Sequence, residues 1–203
     1  MKSNEFDKEY YVMDADKAPN HPKLVWGASD CFLLIQPKAV EKYTLNLPLQ
    51  LEFSQPYPKQ SELVDILHIP NGFVVSEKVK RCIDKMNIYG TQIFPTDIKP
   101  YRSKKAEGYY FFRIWNCISA IDKNNYVGDK PNQYGTIYNL EEFSLDKTVM
   151  EKTPLKKRLA FHLKESSTKR LIHQSVYDAL MSENVTGGSF FRMDGWGDDA
   201  MFG

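Results

Sequence analysis

The clearest alternation of apolar and polar positions lies in residues 75–94, VSEKVKRCIDKMNIYGTQIF. Val79, Cys82, Ile83 and Met86 fall at i, i+3, i+4 and i+7, with Lys78, Lys80, Arg81 and Lys85 off that stripe, so the spacing predicts an amphipathic helix lying on a sheet. Ser76 is placed to cap its start, Glu77 suits the positive end of the helix dipole, and Val74 and Val75 read as extended chain. Gly90 supplies the backbone freedom to leave the helix, and Thr91 to Phe94 return as a strand before Pro95. Residues 172–191, IHQSVYDALMSENVTGGSFF, run through the same order: extended Leu171-Ile172, a helix with Val176, Ala179 and Leu180 on one face, Gly187-Gly188, then Phe190-Phe191. Aligned on that order, the identities are Val79/Val176, Asn87/Asn184 and Gly90/Gly187. Periodicity and turn chemistry generate much of such likeness by themselves, so internal duplication and plain similarity of two helix-and-strand units both stand at this stage.

The remaining patterns fill in a sheet. Residues 10–13 (YYVM) and 45–53 (LNLPLQLEF) read as strands, the second alternating leucine with polar side chains and placed at a sheet edge by Pro48. The proline-punctuated stretch 17–43 between them takes no assignment. Leu63, Ile66 and Leu67 after Ser61 predict a short helix that Pro70 ends. Residues 108–122, GYYFFRIWNCISAID, are the strongest strand signal and belong at the centre of a sheet; 123–135 read as a polar loop, and 136–146 and 158–166 as further strands. The sum is an α+β fold, a single domain over 1–203 with a mostly antiparallel or mixed sheet covered by a few amphipathic helices.

Composition narrows the function classes. A chain of 203 residues with 42% hydrophobic and 26% charged content can bury a proper core, and 27 lysines and arginines against 26 acids leave a net charge of +1. That balance provides no global field to draw in nucleic acid or an anionic membrane, so electrostatic recognition must be local. The start, MKSNEFDKEYYVMDADK, lacks the apolar core of a secretory signal, and no run approaches the roughly 20 apolar residues of a membrane span, which predicts a cytoplasmic, soluble protein. Cys31, Cys82 and Cys117 are odd in number and widely spaced, as reduced thiols would be. None of the patterns GxxxxGK[ST], GxGxxG, HExxH or GxSxG occurs, and His21, His68, His162 and His173 have no metal-ligand spacing with one another or with a cysteine. An enzyme would have to assemble its site from scattered polar residues, which stands as a further alternative; the expectation is no catalytic residues, no metal and no cofactor. His162 is expected on the opposite side of a strand from Leu159, Phe161 and Leu163, and His173 at a helix start.

Charged clusters offer the remaining candidates. Residues 99–105 (KPYRSKK) and 154–164 (PLKKRLAFHLK) mix cations with aromatics and define the alternative reading, a nucleic-acid-binding module, against the plainer one of a solvated face. On the acidic side stand Glu141, Glu142 and Asp146, and the tail 192–203 with Asp194, Asp198 and Asp199 around Trp196. A tryptophan among carboxylates reads as an anchor for a basic protein partner, against a frayed terminus as the plainer reading and the loop around Tyr126 and Tyr134 as another place for a partner.

The segments YYVMDAD, GFVVSEKVKRCIDKMNIYGTQIFPTDI, GYYFFRIWNCISAID and LAFHLKESSTKRLIHQSVYDALMSENVTGGSFF, in that order, resemble a family of bacterial immunity proteins from polymorphic toxin systems, long catalogued as a domain of unknown function. Ser76, Glu77, Gly90, Phe94, Pro95, Gly108, Tyr109, Asp122, Thr186, Gly187 and Phe190 occupy the matching places, while His173-Gln174 and the acidic tail depart from the pattern. The resemblance covers residues 70–191 well and the earlier ones poorly. It implies a cytoplasmic antidote with no chemistry of its own, whose partner is a cognate toxin domain that it binds and blocks.

Overall fold

A computed structural model of the chain describes residues 3–16, 18–27, 44 and 48–197. Residues 45–47 of the expected strand, Cys31, Asp198 and Asp199 lie outside the described residues. In chain order the strands are β1 (Tyr10–Ala15), β2 (Leu24–Trp26), β3 (Leu49–Phe53), β4 (Ile66–Ile69), β5 (Gly72–Ser76), β6 (Thr91–Lys99), β7 (Tyr109–Ile114), β8 (Cys117–Ile118), β9 (Ile121–Gly128), β10 (Leu140–Leu145), β11 (Ala160–Leu163), β12 (Arg170–His173) and β13 (Gly188–Arg192). The helices are α1 (Glu77–Met86), α2 (Lys147–Lys152) and α3 (Gln174–Ser182). One sheet has the order β2-β3-β6-β7-β5-β4, a second β13-β1-β12-β11-β8, and β9 pairs with β10 alone. The α+β expectation holds, with the weight on sheet.

The two similar stretches are one structural unit built twice. Both β5 and β6 pair antiparallel with β7, which lies between them, and α1 connects the pair. Likewise β12 and β13 both pair antiparallel with β1, and α3 connects them. Each unit carries one more antiparallel strand outside its first, β4 beside β5 and β11 beside β12. The middle strand comes from downstream in one unit and from near the N-terminus in the other. All three identities have a physical reason: Val79 and Val176 are buried, Asn87 and Asn184 take left-handed φ of 47° and 53°, and Gly90 and Gly187 take φ of 80° and 78°.

Period-two alternation makes both large sheets two-faced. Tyr10 and Val12 of β1 face a core built with Phe143, Phe161 and Trp196, while Met13 and Ala15 face another that holds Val79, Ile83, Val176 and Leu180 from α1 and α3. Phe73 and Val75 of β5 enter that second core; Val74 between them enters a third, with Leu51, Phe53 and Phe111.

Several expectations change. Residues 61–65 are not helical: Ile66 begins β4, and Pro70-Asn71 form a two-residue hairpin turn closed by the pair Ile69 and Gly72, with Asn71 at φ 63°. Proline then Asn is turn chemistry, and the burial of Ile66 on one face with Leu67 and Ile69 on the other suits a strand. Pro48 does not mark an edge, because β3 lies between β2 and β6 and the proline precedes its first ladder residue. Strand β6 runs through Pro95, pairing with β7 over 91–95 and with β3 over 96–99, so the missing N–H falls at the changeover. β7 is central as expected, but the strand signal over 108–122 divides among β7, β8 and the start of β9, and β9 occupies much of the expected loop 123–135.

Candidate functional site

The hairpin of β9 and β10 carries the most exposed large apolar side chains described. Tyr134 and Tyr138, in the connection between the strands, are 78% and 80% exposed, and Val127 on β9 is 45% exposed. The connection is held in shape by Asn132, whose Oδ1 accepts from the backbone N–H groups of Tyr134 (2.8 Å) and Thr136 (3.0 Å) while its own N–H donates to the Thr136 carbonyl (2.9 Å). Ile137 N–H donates to the Glu165 carbonyl (2.7 Å), and Asp129 N–H to the Asn139 carbonyl (2.9 Å), tying both ends down. Beside it opens a cleft of about 340 Å³ with Ile121, Tyr126, Tyr134 and Ile137 among its walls and Lys123 and Lys164 at polar positions. An ordered, apolar-lined cleft next to two exposed tyrosines can seat a side chain of another protein at little entropic cost.

Glu141 and Glu142 lie on β10, next to this connection; Glu141 is exposed, Glu142 half-buried, and Asn139 Nδ2 donates to Glu141 (3.0 Å). The tail returns to the same strand, since a side chain on Gly197 would meet Glu142 Cγ at 3.5 Å. Asp146 sits at the other end of β10, where its carboxylate caps α2 by accepting from Val149 N–H (3.1 Å). Asp194 is bridged by the Arg192 guanidinium (2.7 and 2.8 Å), which holds its carboxyl below the usual range and cancels its charge. Trp196 corrects the anchor reading: it is 4% exposed, edge-on to Phe143 at 5.1 Å, with Lys169 Nζ 4.3 Å from its ring. Residues up to 197 are therefore no frayed end. Sequence reasoning singled out Tyr126 and Tyr134 but missed Tyr138, which it counted within a strand; the neighbouring Gly135 and Asn139 were the signal for a turn.

Three cations of the basic clusters are paired. Lys99 pairs with Glu52 (3.2 Å) and Lys105 with Glu107 (3.9 Å). Arg158 turns inward to donate to Tyr10 Oη (2.7 Å), while burial pushes the Tyr10 hydroxyl up to about 12. Asp65 joins the two repeated units, accepting from Ser76 Oγ (2.7 Å), Lys78 Nζ (2.7 Å) and Thr186 N–H (3.0 Å). Burial works to raise its pKa, but the bonds from Lys78, Ser76 and Thr186 win and hold it low. Ser76 thus starts α1 without capping it through its hydroxyl, whereas His173 does cap α3, its Nδ1 accepting from Ser175 N–H (3.1 Å).

His162 faces the other side of β11 from Phe161 and Leu163 as expected, yet that side is buried too, and its Nδ1–H donates to the Ser167 carbonyl (2.7 Å). Burial, with the nearby Arg170 charge, pulls its pKa from 6.5 down to about 3. The unfolded histidine takes up a proton near pH 6.5 and the folded one only near pH 3, so stability is complete above the upper value and is lost as pH falls between the two. Between neutrality and about pH 5 this group should withdraw about 2 kcal/mol. Urea unfolding of the wild type and of His162→Gln at both pH values checks it: the wild type should lose about that much more than the variant, and equal losses would contradict the neutral buried histidine.

Among the described residues, no group of three or more His, Cys, Asp or Glu is arranged to hold a metal ion, and no helix is long and apolar enough to cross a membrane. Cys82 and Cys117 are free thiols. No curated protein matches the chain. The model of the immunity protein family Imm11 matches residues 7–194, a span that takes in both repeated units, the β9–β10 hairpin and Asp194. The chain therefore belongs to the immunity protein family Imm11.

Proposed function

We propose that this immunity protein neutralises its toxin by binding it one to one in the cytoplasm, without chemistry of its own, and that the β9–β10 hairpin is the binding face. The observation that carries the location is the pair Tyr134 and Tyr138, 78% and 80% exposed on a connection whose backbone is already fixed by Asn132. Tyrosines contribute large contact area for few rotatable bonds, and they recur among residues that dominate binding energy. Glu141, with Glu142 beside it, adds local negative charge on the same hairpin, suited to a basic toxin surface in a chain whose total charge is +1. Asp146 and Asp194 are engaged as a helix cap and an arginine partner. A patch of roughly 800 Å² per partner centred on the hairpin would cover a toxin's active site or a surface it needs.

Calorimetric titration of the purified toxin with the protein tests this. Heat should saturate at one equivalent, with toxin activity gone at the same point. Complete inhibition at a small fraction of an equivalent would contradict the reading, since it requires turnover.

A further inference from the structure

α1 and α3 pack through Val79, Ile83, Val176 and Leu180 and leave a groove of about 550 Å³ between them, lined by none of the residues of the hairpin cleft. Three cations from α1, Lys78, Arg81 and Lys85, line it against one carboxylate, Glu183. Lys78 is engaged by Asp65 (2.7 Å) and the Asn184 carbonyl (3.1 Å). Arg81 and Lys85 are exposed and have no hydrogen-bond or ion-pair partner among the described residues.

Lys78 serves the fold through Asp65, but Arg81 and Lys85 do not. Four residues apart on one helix face, Arg81 and Lys85 repel each other. The other flank of the same helix follows the favourable rule, with Lys80 paired to Asp84 at 2.8 Å. In the second unit the equivalent places of α3 hold Ser175, Asp178 and Ser182, so the repeated unit folds without any cation there. The groove is also not purely polar: Cys82, Met86 and Ala179 line it at half-buried positions, and a methionine adapts its shape to an inserted side chain.

We propose that this groove is a second binding site, which takes a short acidic segment of a protein partner, its carboxylates on Arg81 and Lys85 and an apolar side chain against Met86 and Ala179. Nucleic acid fits less well. A phosphate chain needs a continuing track of cations, whereas Glu183 lines this groove, Asp84 lies on the same helix, and the whole chain carries only +1. The site stands apart from the hairpin and does not depend on it.

Fluorescence anisotropy with the full-length protein provides the test. The probes are a labelled dodecapeptide of alternating Glu and Leu, the same peptide with Gln for Glu, and a thymidine dodecamer. The acidic peptide should bind; the Gln peptide, and the acidic peptide against Arg81→Glu/Lys85→Glu, should each bind at least about tenfold more weakly. Both substitutions lie on an exposed helix surface, and circular dichroism confirms that the variant is folded. Tyr134→Ala/Tyr138→Ala should bind the peptide as the wild type does, which separates this site from the toxin face. Absence of acidic-peptide binding, or affinity unchanged by the double charge reversal, overturns the proposal. Binding of the thymidine dodecamer at equal or greater strength, with the same sensitivity to Arg81 and Lys85, overturns it in favour of nucleic acid.

Discussion

Trp196→Ala is expected to cost about 3 to 5 kcal/mol of folding stability, the range for emptying a buried aromatic site. The indole is only 4% exposed, packs edge-on against Phe143 at 5.1 Å, and lies under Lys169 Nζ at 4.3 Å. Phe143 itself is fully buried in the core that also holds Tyr10 and Phe161, so the cavity would open within that core. Equilibrium urea unfolding measures the loss as a lower midpoint. A variant within about 0.5 kcal/mol of wild type that had nonetheless lost toxin binding would return the tryptophan to the surface and to the role of anchor.

Gly187→Ala and Gly90→Ala should each cost about 3 kcal/mol or more, because two penalties coincide at both sites. Their φ values of 78° and 80° belong to the left-handed region that a Cβ disfavours. An added Cβ at Gly187 would stand 2.3 Å from Val64 Cγ2 and 2.6 Å from the Ile66 carbonyl oxygen; at Gly90 it would stand 2.1 Å from Asn116 Cβ. Gly108 separates the two causes, since it shares a positive φ of 72° but has nothing within 4 Å of the added atom. Gly108→Ala should therefore lose only about 1 to 2 kcal/mol. Equal losses at all three positions would mean that the close approaches of Gly187 to Val64 and Ile66 and of Gly90 to Asn116 are unimportant.

The elements legible in the sequence were those with a strong local pattern, whether a one-sided helix stripe or a dense apolar strand. The stripe Val79, Cys82, Ile83, Met86 marked α1, the Val176 and Leu180 face marked α3, and dense aromatic and β-branched residues marked β7. Residues 63–67 fit a helical period and a strand equally well, and the Pro70-Asn71 turn that decides between them was read only as a helix stop. β9 was hidden because a strand in a two-stranded sheet can expose most of its side chains, as Lys123 and Asn124 do. The three identities between the repeated units gained meaning only once their backbone angles and burial could be compared. β1 reaches across to lie between β12 and β13, and no local pattern announces such a pairing.

For the candidate site, residue type was legible and placement was not. Glu141 and Glu142 were picked out as acidic, and the register of β10 sets them beside the tyrosine-bearing connection while sending Asp146 to a helix cap. The tail of glycine, aspartate and tryptophan reads as exposed chain, yet its tryptophan is core because Phe143 on a distant segment receives it. Tyr138 was lost inside an expected strand that begins only at Leu140.

The most direct test of the central claim is the affinity of the toxin for Tyr134→Ala/Tyr138→Ala, read by the same calorimetric titration as the wild type. Both side chains are exposed, so the variant should unfold at the wild-type urea midpoint. The dissociation constant should rise by about a hundredfold, the equivalent of about 2.7 kcal/mol for two tyrosines at the centre of an interface, with one-to-one stoichiometry retained. A dissociation constant within about threefold of wild type, in a variant equally stable, would contradict the hairpin as the face that binds the toxin.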